Sequence, residues 1–368
     1  MVSKGSIPLY PRYQESTTEF SSVQQIQKYS PHLLSDPSPH RQSSTRKLSA
    51  PSLQLTGHGA EVYSCKFSPN GSILATAGFD KSILLWSVYP SCTNYALLKG
   101  HTNAILDLSF SSDGSKLYSC SADKSLCIWD LESGKRLKKY KGHTSVINSL
   151  DSSRRGTDLI VTSSDDGCLK LWDLRHKSSV STLDLVHPLP SVSFNETSDK
   201  CYVGSLSNSI LTIDLRTNQP DSNQQLEGHT DTVTGLSLSH DGSYLLSTSL
   251  DSSLRIWDTR PFVLANGNSN GRCLKVFQGF LVGNSGANSG GNLIRGAWSS
   301  DGSKVGCGSS DGFVCVWETG TRRMVQRLGG HCGGVNEVAF EGKGEVELIG
   351  SASEDKSVIV GEMPKVGL

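Results

Sequence analysis

The chain has 368 residues, with 35 Lys and Arg against 35 Asp and Glu, so its formal charge is zero. That balance argues against a free-standing nucleic-acid binder, which carries a basic excess. Charged residues reach only 19% while glycine stands at 37, a composition that suits short strands and tight turns. No apolar run approaches a membrane span, and the first residues lack the apolar core of a secretory signal.

Residues 1–51 differ from the rest. They are rich in Ser and Pro, poor in apolar side chains and carry a net positive charge. Such a stretch buries too little surface to offset the entropy of ordering, so it reads as a disordered tail. Within it, Arg41, Arg46 and Lys47 precede Ser49. This group reads either as a solvated linker or as a basophilic kinase site or weak nuclear-import signal. The ten cysteines form no CxxC pair and read as reduced thiols of the cytosol or nucleus, without zinc.

Beyond the tail the chain repeats. Gly-His recurs at His58, His101, His143, His229 and His331, in steps of 43, 42, 86 and 102 residues. The third step is two repeats long, and the last exceeds two by an amount that the Gly/Asn/Ser stretches at 265–271 and 283–292 absorb. An Asp stands 22 residues behind His58, His101 and His229 and 23 behind His143, and six residues after it a Trp: Asp80 and Trp86, Asp123 and Trp129, Asp166 and Trp172, Asp251 and Trp257. Asp311 with Trp317, and His331 with Asp355, are partial copies.

Between these marks the pattern has period two, as in VYSCKF (62–67) and SLCIW (125–129), which predicts strands. Asn70-Gly71, Asp113-Gly114, Asp241-Gly242 and Asp301-Gly302 predict two-residue hairpin turns. Each unit therefore reads as a four-stranded antiparallel meander, strands a to d, and seven outer-strand candidates are present, among them 224–227 in the fourth unit. The last unit ends after its third strand at Met363, so its fourth must come from 52–55. The expected fold is all-β: a seven-bladed β-propeller over 52–363, followed by a stub at 364–368.

The recurrent side chains have a structural use. Asp accepts from His, His reaches a hydroxyl on strand b, and that hydroxyl receives the Trp N–H. The candidate hydroxyls are Thr76, Ser119 or Ser121, Thr162 or Ser164, and Ser247 or Ser249. His, Asp and Ser also make up a hydrolytic triad, but a set repeated in four units reads as structural. Gly308-Ser-Ser310-Asp-Gly312 fits the nucleophile-elbow pattern yet lies where a strand-to-strand hairpin is expected. No phosphate loop, HExxH or EF-hand loop appears, so no catalytic residue, metal or cofactor is expected. Three units break the pattern. In the fourth, Leu185, Ser207 and Ile213 stand for His, Asp and Trp, and His187 reads as a loop residue. The sixth has Ser289 for His and Cys307 on strand b, and the seventh has Gly361 for Trp.

With these marks the chain resembles the WD-repeat propellers, and most nearly those that serve in the spliceosome's U5 particle. The segments 59–86, 153–175, 233–262 and 351–363 carry that resemblance. It implies a non-enzymatic scaffold in the nucleus, working in pre-mRNA splicing and binding the largest core splicing protein and other U5 proteins. RNA would be met only indirectly, and no membrane or small-molecule substrate is implied.

The resemblance also implies a contact face at the d–a connections and b–c turns. Residues five after each His (Tyr63, Leu106, Asn148, Thr234, Asn336) and those just before each Asp (Phe79, Ala122, Asp165, Leu250, Ser310, Glu354) would line it. Tyr63, Phe79, Leu106 and Leu250 read as exposed apolar anchors. Two other functions compete. Trp172-Asp-Leu-Arg175 and Trp257-Asp-Thr-Arg260 match the WDxR motif of cullin–RING substrate receptors, with Arg175 and Arg260 on the ligase adaptor. A histone-tail reader would need an acidic central pocket, for which Glu61, Asp165 and Glu354 are available. The basic run Lys135, Arg136, Lys138, Lys139 and Lys141 reads at most as a weak phosphate contact.

Overall fold

The computed structural model describes residues 48–155, 158–220, 225–260, 272–282, 293–342 and 346–363. Within them every regular element is a strand, and the strands form seven antiparallel sheets in the order a-b-c-d. The innermost strands are Val62–Phe67, Ile105–Phe110, Ile147–Ser152, Ser191–Phe194, Val233–Leu238, Gly296–Trp298 and Val335–Glu341. Each packs against the next, and the seventh against the first, so the ring closes. Seven apolar clusters fill the ring, and five of them include the buried indoles of Trp86, Trp129, Trp172, Trp257 and Trp317.

Closure uses the chain's own beginning. Ser52–Thr56 pairs with Ser357–Met363 in the register Ser52↔Gly361 to Thr56↔Ser357. Leu348, Val358 and Val360 of the seventh blade share one cluster with Leu55 and Val62. The borrowed strand covers an edge that would otherwise present unpaired N–H and C=O groups. Most of the tail read over 1–51, and all of 364–368, lie outside the described residues. Leu48 to Pro51, which that reading included, are described, and Leu48 is buried in the seam between blades one and seven.

Two expectations change. The a–b connections are not two-residue turns. In each of the four, the glycine N–H donates to the carbonyl of a Ser three residues back, at 2.8 Å for Gly71 and Ser68. Asn70 Oδ1 accepts from Ser68 Oγ and Ser72 N, holding a five-residue loop with Gly71 at φ 72°. Side-chain capping by Asn or Asp makes this wider turn the better solution. In blade four the outer strand expected at 224–227 is two short pairings, Gln219–Pro220 and Leu226–Glu227, on one neighbour.

Blade six corrects the sequence register. Ser289 lies outside the described residues, and Gly279-Phe280 occupies the Gly-His place. Phe280 is buried with its ring centroid 6.0 Å from that of Trp317, as His229 is from Trp257. Phe277, Cys307 and Cys315 complete an apolar version of the network. Leu185 does stand in the His register of blade four, since Leu206 N donates to Pro188 O, three residues on, as Asp165 N does to Val146 O. His187 is exposed on the loop.

Candidate protein-binding face

The four complete networks form as the spacing requires. His Nδ1 to Asp Oδ2 is 2.8 Å in blade one, 3.0 in two and 2.9 in three and five. His Nε2 meets Thr76, Ser119 and Thr162 at 2.8 Å and Ser247 at 2.6 Å. The indole N–H of Trp86, Trp129, Trp172 and Trp257 donates to the same hydroxyl at 2.8–2.9 Å. Ser121, Ser164 and Ser249 instead accept the Asp amide N–H and brace the b–c turn. Blade seven keeps His331, Asp355 and Ser351 without a Trp. In blade six Asp311 pairs with Arg327, whose guanidinium lies 4.1 Å over the Phe313 ring.

These networks fix the face where d–a connections meet b–c turns, and the sequence-chosen residues divide on it. The inner strands of blades one, two, three, five and seven each carry a one-residue register shift. The residue set aside is Tyr63, Leu106, Asn148, Thr234 or Asn336, every member of the five-after-His set. A bulge leaves its residue outside the ladder and turns its side chain aside. Four of the five are buried, Leu106 among them at 4% exposure, so its reading as an exposed anchor is corrected. Asn148 Nδ2 donates to Leu189 O, Thr234 Oγ1 to Ile294 O and Asn336 Nδ2 to Val62 O, each in the following blade. These three form a girdle of inter-blade bonds at the channel neck. Tyr63 is half-buried, with its hydroxyl on Glu61.

The set preceding the Asp lies farther out. Phe79 is 42% exposed; Ala122, Asp165, Leu250 and Glu354 are half-buried, and Ser310 is buried. The turn backbone tethers each, as in Phe79 N to Glu61 O and Leu250 N to Thr232 O. Three exposed apolar residues on this face were missed. Leu206 precedes the absent Asp of blade four, and Val186 and Leu281 lie in the d–a connections of blades four and six. Leu206 was findable from position alone. Val186, at φ 68° and 82% exposed, holds a conformation that β-branched residues rarely adopt, and no pattern announced it.

The central opening is occupied by the chain itself. Arg295 of blade six reaches across it, donating to Leu106 O at 2.9 Å and Asn148 O at 2.7 Å, with Asp107 Oδ1 at 3.1 Å. Arg295 also lines a polar cavity of about 110 Å³, with Lys66, Asp151, Arg154, Ser193 and Glu337 among its other walls. Of the acids read as a pocket for a basic tail, Glu61 holds Tyr63 and Asp165 accepts from Asn148 at 2.6 Å. Burial raises the Asp165 pKa, more than the Asn148 bond lowers it.

Both WDxR arginines are exposed, just beyond the ends of their c strands. Arg260 is bidentate to Asp258, with Nε to Oδ1 at 2.9 Å, and lies over the Tyr244 ring. Arg175 is exposed beside its c–d turn. In the basic run, Arg136 is spent on Gly100 O, Lys138 on Leu174 O and Lys139 on Asp123. Among the described residues no group of His, Cys, Asp and Glu is arranged to hold a metal.

Repeated Gly-His and Trp-Asp marks on seven four-stranded sheets, tied by one repeated hydrogen-bond network, define the class: the chain belongs to the WD-repeat β-propeller family. The WD domain, G-beta repeat model matches residues 49–87 and 271–318, and a nucleolar protein 10-like N-terminal propeller model matches 102–267. Within the family, the chain is 49% identical to the U5 small nuclear ribonucleoprotein 40 kDa protein of Homo sapiens, over 92% of this chain and 90% of that one. A Dictyostelium discoideum protein of the same name is 42% identical over 87% of this chain and 86% of its own. Pre-mRNA-splicing factor cwf17 of Schizosaccharomyces pombe is 38% identical over 95% and 98%.

Proposed function

We propose that the protein is a non-enzymatic scaffold of the U5 small nuclear ribonucleoprotein, acting in pre-mRNA splicing in the nucleus. The observation that carries this reading is 49% identity across nearly the whole of both chains, with a relative named for that particle. Likeness to cwf17, named as a splicing factor, supports it independently of the particle. The partner proposed for the face is the largest core splicing protein, with other U5 proteins beside it and RNA reached only through them.

Docking rests on the exposed apolar rim. Phe79, Leu206 and Leu281, with half-buried Tyr63 and Leu250, offer separate anchors that a partner segment can cover. The buried girdle residues act by holding the neck that spaces these anchors. Phe79→Ala is expected to reduce recovery of U5 proteins from nuclear extract at least about tenfold, with the melting temperature nearly unchanged. Recovery of U5 proteins by Phe79→Ala, Leu206→Ser and Tyr63→Ala at the unaltered level overturns the face. Recovery of a cullin and its adaptor, without U5 proteins, overturns the function.

A further inference from the structure

The four residues ahead of the closing strand form a clasp, and its second residue is a modifiable serine. Leu48 is 6% exposed and packs among Leu55, Trp86, Val88 and Cys92. Its N–H donates to Glu362 Oε1 at 2.9 Å. Ser49 N–H donates to Pro90 O in blade one at 2.8 Å, and Glu362 N–H donates to Pro51 O in blade seven at 2.8 Å. The clasp therefore ties the start of the closing strand to both blades at the seam. Ser49 itself is exposed. In sequence it follows Arg46-Lys47-Leu48, basic residues at the third and second positions before it. That spacing suits kinases that read cations upstream of serine.

We infer that Ser49 is a phosphorylation site for a basophilic serine kinase, and that the phosphate unfastens the closing strand. ATP is the co-reactant: the Ser49 hydroxyl oxygen bonds the γ-phosphorus, the bond to the bridging oxygen of ADP breaks, and the hydroxyl proton passes to solvent. The product carries close to two negative charges and adjoins the amide that Glu362 holds. The new charge repels that carboxylate and the carbonyl oxygen of Pro90, which both bonds need nearby. A kinase also grips several residues on either side of its target in extended form, so Leu48 must leave the core before transfer. The clasp thus limits the rate of its own modification, and the phosphate then keeps it open.

The test uses the full chain with ATP and the catalytic subunit of the cyclic-AMP-dependent kinase. Mass spectrometry is expected to place phosphate on Ser49, and Leu48→Ala is expected to accelerate its labelling at least about fivefold, as a pre-opened clasp must. Exchange of the amides at 53–56 is expected to quicken about tenfold after labelling, while those of Lys116–Ser121 stay as they were. Ser49→Ala treated with the same kinase separates this effect from labelling at Ser43 or Ser44. Label confined to Ser43 and Ser44 overturns the site. Ser49 labelled no faster in Leu48→Ala, or exchange unaltered by the label, overturns the clasp.

Discussion

Asp123 shows what the repeated network does to one side chain. Burial alone raises a carboxyl pKa, but hydrogen bonds from His101, Ser125 and Thr102 N–H, with the His101 charge, outweigh it and hold this one far below the ordinary range. Asp251 is held down in the same way by His229 and Ser253. His143 moves down too, because burial outweighs the pull of Asp166. Both kinds of shift leave the folded chain with fewer bound protons than the unfolded one. Their stabilisation is complete above the unfolded pKa values and is lost as pH falls: below about 6.5 for His143 and below about 4 for the aspartates. Urea midpoints are expected to decline gently from pH 7 to 5 and steeply below 4. Asp123→Ala is expected to cost about 1–3 kcal/mol at pH 7, since His101 and the Thr102 N–H lose their acceptor. An unaltered urea midpoint there would discredit the network. The four trios of His, Asp and Trp were legible as fixed spacings along the chain. The choice between Ser119 and Ser121 was not, because residues two apart on a strand share a face and only the reach of the imidazole separates them.

Among the elements, blade six shows that the sheet needs a filled site rather than a particular chemistry. Phe280 and Cys307 take the places of His and Ser/Thr, and Trp317 packs against the edge of Phe280 and the tilted ring of Phe277. Asp311, without its imidazole, turns to Arg327. Phe280→His alone buries an imidazole with no hydroxyl to meet, and Cys307→Ser alone buries a hydroxyl that can accept from Trp317 but has no imidazole to take its own proton. The double variant restores the His–Ser contact and gives Trp317 an acceptor. A double-mutant cycle by urea unfolding is expected to show coupling of about 1–2 kcal/mol in favour of the pair. Additive single costs would mean that the polar network cannot be transplanted into this blade. The bulges teach a second lesson about elements. Alternation along VYSCKF or ILDLSF predicts a strand but contains no sign of one residue stepping out of register. Leu106, Asn148, Thr234 and Asn336, which the resemblance placed on a contact face, are the residues that step aside, and in the fold they are buried at the neck.

For the molecule as a whole, the channel side chains do the joining. Glu337 of blade seven takes Cys65 N of blade one at 2.9 Å, Asp107 of blade two takes Ser149 Oγ of blade three at 2.8 Å, and Asp151 of blade three takes Phe194 N of blade four at 2.8 Å. Arg295 then ties blade six across the axis to blades two and three. Arg295→Met would leave Asp107 and two carbonyls short of a buried cation and is expected to cost about 3–5 kcal/mol by urea unfolding. Arg216→Ala, which removes an exposed pair with Asp199, is expected to cost less than about 1 kcal/mol. Equal losses would mean that Arg295 bears no cross-ring load.

Repeat length, strand order, the borrowed closing strand and most hydrogen-bond partners were readable from the chain because they depend on fixed separations along it. Two-residue alternation, a His and an Asp 22 to 24 residues apart, and a missing last strand need no knowledge of distant neighbours. What lies at the axis depends on closure. Seven inner strands from all over the chain converge there, so Arg295 meets Asn148 and Asp107 meets Ser149 only once the ring has formed. Burial at the neck is set by that convergence, and no local pattern records it.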